Sequence, residues 1–349
     1  ILSVKRAVGT AVLLLLMVGF GVGVYELLAA HRQVTMTQVS QPTATRTVSL
    51  PGTIYLAQGG ALYRFRAGTF TRLTAAEGWT EPAESPDGAS LVAVKRALNF
   101  SDLYLLDTAG NVKRQLTHNA SGVVERNHWA FYPRFSHDGQ TVFYAYDPKD
   151  PYNSYRVDLA IYATPLGATA APKAWTSPNY YTGGDVTPLP VESGALIYTK
   201  YSIDQQGQVH SQVWVQARAG SVGVGLTKPE DDCQQPAISP QGTTLAMVCR
   251  HGQTIADLEV APLNLASFSI GPPIALVPAG LLAAPAFSPD GQTLAYFAPA
   301  SGDGPLQLWT VGMQNPAAAS ASPVAPAPAL PRRITSSLAF DSTAAPAWS

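Results

Sequence analysis

Charge is scarce in this chain of 349 residues, with 13% Asp, Glu, Lys and Arg against about 25% in an average soluble protein. The 22 basic and 23 acidic residues leave a net charge of −1. No strongly basic surface is available to displace counterions, which excludes a general nucleic-acid binder. Cysteine is scarcer: Cys233 and Cys249 are the only two, too few for a disulfide scaffold but enough for one bridge. Three chemical signatures are also missing. There is no G-x-S-x-G elbow for a serine nucleophile, no G-x-x-x-x-G-K-[ST] phosphate loop and no C-x-x-C-H haem attachment site. What the chain does have is 46% hydrophobic residues, 29 Gly, 29 Pro and 15 Tyr. That content excludes a disordered tail and predicts an all-β protein with many turns.

One apolar run stands apart. Lys5 and Arg6 precede an uncharged stretch from Ala7 to Tyr25, whose nineteen residues would span about 28 Å as a helix, close to the ~30 Å of a bilayer core. It is longer than the apolar core of a signal peptide, and Leu28-Ala29-Ala30 is a poor cleavage site. A retained transmembrane helix over residues 7–28 is therefore predicted, anchoring the protein in the lipid bilayer of the inner (cytoplasmic) membrane. The two cations hold residues 1–6 in the cytoplasm and place the rest on the periplasmic or extracellular side. Residues 29–50, rich in Thr, Gln and Ser, read as a stalk. Gly19 and Gly23 make a small-xxx-small pair that would let another helix approach closely.

The rest of the chain repeats itself. Pro82, Pro133, Pro188, Pro236, Pro285 and Pro346 open six related stretches, four of which follow the form P-x-x-S-x-x-G with alternating apolar residues behind it. A second marker, of the Leu-Thr kind, recurs at Leu73-Thr74, Leu116-Thr117, Trp175-Thr176, Leu226-Thr227, Leu276-Val277 and Ile334-Thr335. A third, apolar-aromatic, recurs at Leu62-Tyr63, Leu103-Tyr104, Ile161-Tyr162, Val213-Trp214, Leu258-Glu259 and Leu308-Trp309. Ser-Pro-Asp-Gly fits a type I turn with Gly in the left-handed position, which nominates Asp87, Gly88, Asp138, Gly139, Gly242, Asp290 and Gly291 as turn residues. Each unit holds about four short strands, and six such sheets bury their faces when packed around an axis.

The pattern resembles the TolB-like six-bladed β-propellers, whose repeat has the form P-x-[WF]-S-P-D-G followed by an alternating strand. The resemblance covers residues 51–349, with His137 and Gln241 as departures and a third copy that has lost the turn. It implies fold and not activity, since the same repeat occurs in prolyl oligopeptidase-type propellers. The end of the chain, Pro346-Ala347-Trp348-Ser349, matches the start of a repeat whose continuation is found at Pro51-Gly52-Thr53. This predicts a closing blade shared between the two ends of the domain. Residues 313–331 insert an Ala/Pro/Ser tract into the last unit, read as a solvated loop.

The cysteines fall on one hairpin. With Ser239 facing Thr243 across the turn, six steps outward bring Cys233 opposite Cys249, and Pro236 opposite Ala246 at a site that needs no N–H. A Cys233–Cys249 disulfide is expected on the oxidising side of the membrane. His118, His128, His137, Glu125 and Asp138 read as surface or hydrogen-bonded groups, and Glu230-Asp231-Asp232 as an acidic loop cap, so neither a metal nor a cofactor is expected. Trp79, Trp129, Tyr180 and Tyr181 could stack on sugars but are read as packing. With no catalytic constellation and no further domain expected behind the closing strand, the sequence is read as a non-enzyme. It is taken as an interaction or scaffold module, an accessory subunit of a respiratory, photosynthetic or envelope complex. The alternative is a binding or sensor protein for a glycan or peptide.

Overall fold

The computed structural model describes residues 50–150, 152–153, 155–167, 171–177, 181–313 and 330–349. The expected membrane helix with Gly19 and Gly23, the stalk up to residue 49 and most of the Ala/Pro tract lie outside these residues. Among the described residues no helix is long and apolar enough to cross a membrane.

Local chemistry makes the turns. In three copies the serine hydroxyl donates to the aspartate two residues on: Ser85 to Asp87 at 2.5 Å, Ser136 to Asp138 at 2.6 Å and Ser288 to Asp290 at 2.6 Å. Those bonds hold each Asp carboxyl below its ordinary range. Gly88, Gly139, Gly242 and Gly291 take φ of 68–70° and close the turn on the serine carbonyl at 2.8–2.9 Å. The Leu-Thr marker has an equally local purpose. Its threonine hydroxyl accepts an N–H from the blade's third strand: Leu62 to Thr74, Leu103 to Thr117 and Ile161 to Thr176 at 2.9 Å, Val213 to Thr227 and Leu308 to Thr335 at 3.0 Å. The residue that donates is fully buried each time. Blade 5 has Val277 at this position and pairs it directly with Leu258.

Six antiparallel sheets follow, each with a short inner strand. In blades 2–6 that inner strand is Trp79–Glu84, Ala130–Phe135, Asp185–Pro190, Cys233–Ile238 or Ala283–Phe287. Blade 1 is built from both ends of the domain: Ala347–Trp348 pairs with Thr53–Gln58, Trp348 opposite Ile54 and Ala347 opposite Tyr55. Apolar clusters lie between neighbouring blades. Ile197, Val213 and Val215 of blade 4, for example, pack against Leu245, Met247 and Ala261 of blade 5.

Cys233 and Cys249 are opposed and joined, with an S–S distance of 2.10 Å. The register between them corrects the expectation. Ala237 faces Ala246, and Ser239 bonds to Thr244, so the turn is one residue longer than expected. A bulge at Gln235-Pro236 takes up the extra residue and restores the pairing at the cysteines. The bridge closes a loop of 16 residues, for which chain entropy gives about 3 kcal/mol. Cys233→Ser with Cys249→Ser should therefore lower the melting temperature by roughly 6–12 °C, at about 2–4 °C per kcal/mol for a domain of this size. Differential scanning calorimetry of the oxidised wild type against the double variant checks it.

Candidate functional site

The bulge beside the disulfide belongs to a series. In five blades the residue before the repeat proline has a left-handed backbone: Glu81, Tyr132, Thr187, Gln235 and Ala284 have φ of 50–56°. At each the inner strand slips register against its neighbour. Proline suits this place because a bulge residue has no ladder bond to lose. A side chain in left-handed backbone is strained, and interblade bonds offset the strain. The Tyr132 N–H of blade 3 donates to the Glu81 carboxylate of blade 2. The Ala284 N–H of blade 6 donates to Gln235 Oε1 of blade 5 at 2.8 Å. The Gln235 N–H donates to Thr199 Oγ1 of blade 4 at 3.0 Å. The repeat thus clasps blade 2 to blade 3, blade 4 to blade 5 and blade 5 to blade 6.

Inside this ring lies a cavity of about 350 Å³, lined by the inner strands of all the blades. Tyr132, Arg134, Thr187 and Gln235 give it a polar collar, while Leu189, Ile238, Phe287, Ala347 and Trp348 give it apolar walls. Glu81 is 5% exposed, and burial pushes its carboxyl up to about 8, with Asp341 adding to the rise and the Tyr132 N–H, Arg134 and Arg96 opposing it. Burial and the Glu81 charge also push the Tyr132 phenol above its ordinary range, and burial draws Arg134 below its own. At neutral pH Glu81 is therefore mostly uncharged. The channel combines an apolar wall with donors and acceptors at its collar, a lining suited to an extended chain with its own amides and apolar side chains.

Most residues nominated from sequence lie elsewhere. Gly88 reaches the edge of the channel cavity, Asp87, Asp138 and Gly139 line a separate crevice between blades 2 and 3, and Gly242, Asp290 and Gly291 sit in their own turns. His128, Glu125 and Asp138 do not converge. His128 Nδ1 lies 2.7 Å from the Asp147 carbonyl oxygen, and its ring stacks on Tyr146. Glu125 accepts the Tyr155 hydroxyl. His118 is exposed, and His137 stands beside Asp138 in a rim turn. Asp232 holds Ser211 Oγ at 2.6 Å and Arg250 at 2.9 Å, a structural role. Trp79 meets Tyr104 edge-on and Trp129 stacks on Phe131. Tyr181 is 72% exposed with the Arg156 guanidinium 3.5 Å from its ring centre, and Tyr180 lies outside the described residues. His251, Asp257 and Glu259 offer ligand atoms within 4.8 Å of one another, but His251 Nε2 is already engaged with Glu259 at 2.7 Å. The clasp residues Glu81, Tyr132 and Gln235 were missed, although each directly precedes a repeat proline.

The class is a six-bladed β-propeller. No protein-family model matches the sequence, and no curated protein matches it. Solved structures do share the fold. TolB from Acinetobacter baumannii is 18% identical with a TM-score of 0.60, covering 86% of this chain and 67% of that one. The putative TolB from Agrobacterium tumefaciens is 17% identical with a TM-score of 0.50, covering 76% of this chain and 86% of that one. At these identities what is shared is the fold, and the chain is a TolB-like propeller.

A third likeness overturns the expectation of a non-enzyme. A prolyl endopeptidase structure is 10% identical with a TM-score of 0.50, covering 80% of this chain and 39% of its own. This blade arrangement thus occurs in an enzyme as well as in TolB. A propeller is a scaffold whose loops and channel can serve either purpose, so missing sequence signatures do not decide the matter.

Proposed function

We propose that this propeller is the extracytoplasmic binding module of a larger membrane complex, anchored by residues 7–28, and that it receives an extended segment of a protein partner in its channel. The observation that supports this is the lining of the axis: a cavity of about 350 Å³ with a polar collar and apolar walls, open to solvent and framed by the inner strands. Such a tube offers hydrogen bonds to a backbone and pockets to side chains. The helix pair Gly19 and Gly23 would contribute a second contact, to a membrane helix of the complex.

Two changes separate these contacts. A photo-crosslinker at Ile238, on the channel wall, should capture a defined partner in native membranes, and Arg134→Glu should abolish capture while circular dichroism shows the propeller still folded, at a lower melting temperature because the new carboxyl is buried near Glu81. Gly19→Ile with Gly23→Ile should reduce co-purification in mild detergent and leave the channel crosslink intact in membranes. A crosslink that survives Arg134→Glu, or a wild-type protein that runs alone in mild detergent, refutes the reading.

A further inference from the structure

A second cavity, of about 220 Å³, lies away from the axis in the crevice between blades 3 and 4. Blade 3 contributes Trp175 and Thr176, and blade 4 contributes Asp185, Tyr198, Lys200 and Trp214. The third strand of blade 3 differs at one position from those of blades 2, 4 and 6. Blades 2, 4 and 6 place a polar side chain just before the buried third-strand position, and it bonds to the Thr marker: Thr117 Oγ1 donates to Asp102 at 2.9 Å, Gln212 donates to the Thr227 carbonyl at 2.9 Å and Thr335 Oγ1 donates to Gln307 at 2.9 Å. Blade 3 has the fully buried Ala160 at that position. The Thr176 hydroxyl instead hydrogen-bonds to Asp185 of the next blade.

The polar atoms around this space are incompletely paired. Asp185 is 1% exposed. Its carboxylate takes Lys200 Nζ at 3.2 Å and the Thr176 hydroxyl. The indole N–H groups of Trp175 and Trp214 are buried without acceptors among the described residues. Buried polar atoms are almost always paired with protein, water or ligand, so two such donors around one cavity call for an occupant. Gly223 helps keep the wall open, since a Cβ there would lie 3.0 Å from the Trp214 ring and 3.3 Å from the Tyr198 hydroxyl.

The occupant must accept from two indoles beside a carboxylate. It must also lie against tryptophan rings without bringing charge, because Lys200 and Asp185 already neutralise each other. At about 30 Å³ per water the space equals roughly seven waters, about what one six-membered sugar ring displaces. We infer that the crevice between blades 3 and 4 binds a single neutral, hydroxyl-rich ring of the hexose class. Sugar hydroxyls both donate and accept, so one molecule can take both indole N–H groups and add a bond to the carboxylate. Its C–H face suits the indoles. This site is independent of the channel and of any partner there.

The test uses the folded chain with D-glucose, D-galactose and D-mannose as probes, followed by saturation-transfer NMR and tryptophan emission. At least one hexose should bind with millimolar affinity and shift the emission. Asp185→Asn and Trp214→Phe should each weaken binding about tenfold, the equivalent of ~1.4 kcal/mol, with circular dichroism confirming the fold. If Asp185→Asn does not fold, Trp214→Phe decides, since it keeps an aromatic ring but loses the pyrrole half of the indole together with its N–H. No saturation transfer from any of the three sugars, or unchanged affinity in the folded variants, overturns the assignment and leaves the crevice to water.

Discussion

Deletion of residues 341–349 should cost about 5 kcal/mol of stability or more and lower the melting temperature by at least ~10 °C, at about 2 °C per kcal/mol. These residues supply the inner strand of blade 1. Thr53 N–H donates to the Ser349 carbonyl at 2.6 Å, and Ser349 N–H donates back to the Thr53 carbonyl at 3.0 Å. The Trp348 indole donates to the Pro51 carbonyl at 2.7 Å. Each such bond contributes about 1 kcal/mol. Losing the strand also uncovers Tyr55 and Ala57, which pack in one cluster with Ala344 and Ala347, and bares the edge of the Thr53–Gln58 strand, where an unpaired ladder invites aggregation. A milder change tests the same splice. Gly52 has φ of 71°, and a Cβ there would stand 1.9 Å from the Ser349 carbonyl oxygen. Gly52→Ala should therefore destabilise in the same direction. An unchanged calorimetric transition after the deletion would falsify the shared blade as a structural necessity.

Glu81→Gln should stabilise the protein at pH 8 and leave it unchanged at pH 4. The sign follows from the raised carboxyl. Burial moves Glu81 from its ordinary 4.5 to about 8 in the folded protein. Its contribution to stability is therefore fully present below pH 4.5 and is lost as pH rises towards 8, because the unfolded chain ionises first. At about 1.4 kcal/mol per pH unit the loss is on the order of 4 kcal/mol. Glutamine cannot ionise, and its amide oxygen can still accept the Tyr132 N–H. The protein holds a precedent: Gln235, at the same place in blade 5, accepts the Ala284 N–H and donates to the Ser342 carbonyl. Urea unfolding from pH 4 to pH 9 should show a falling profile for wild type and a flatter one for the variant. Parallel profiles would mean that Glu81 is ionised in the fold.

Recognition of the blades from sequence rested on interactions that span only a few residues. The Ser-Pro-Asp-Gly turn closes on itself, and the Thr marker reaches one strand within its own blade. Both leave a fixed spacing in the chain. The cysteine pairing was reached through a register that the structure corrects: the longer turn and the bulge at Gln235-Pro236 compensate, so two local errors cancelled at the bridge. The bulges themselves were invisible, because alternation along a strand says nothing about where it slips against its partner. Pro236 was read as sitting at an ordinary site without a bond, whereas it follows the left-handed Gln235, which bonds to blade 6.

What the sequence determined by itself, then, was the number of blades, their order and the splice that joins Pro51 to Ser349 in one sheet, since these follow from repeated local chemistry. Tertiary structure alone decided the sites. Glu81 and Tyr132 are 51 residues apart, and Trp175 and Trp214 belong to different blades, so no spacing announces that they meet. A buried carboxyl at the axis and two buried indole N–H groups between two blades are products of packing. Burial sets the first group's proton affinity, and the meeting of two blades sets the surroundings of the others.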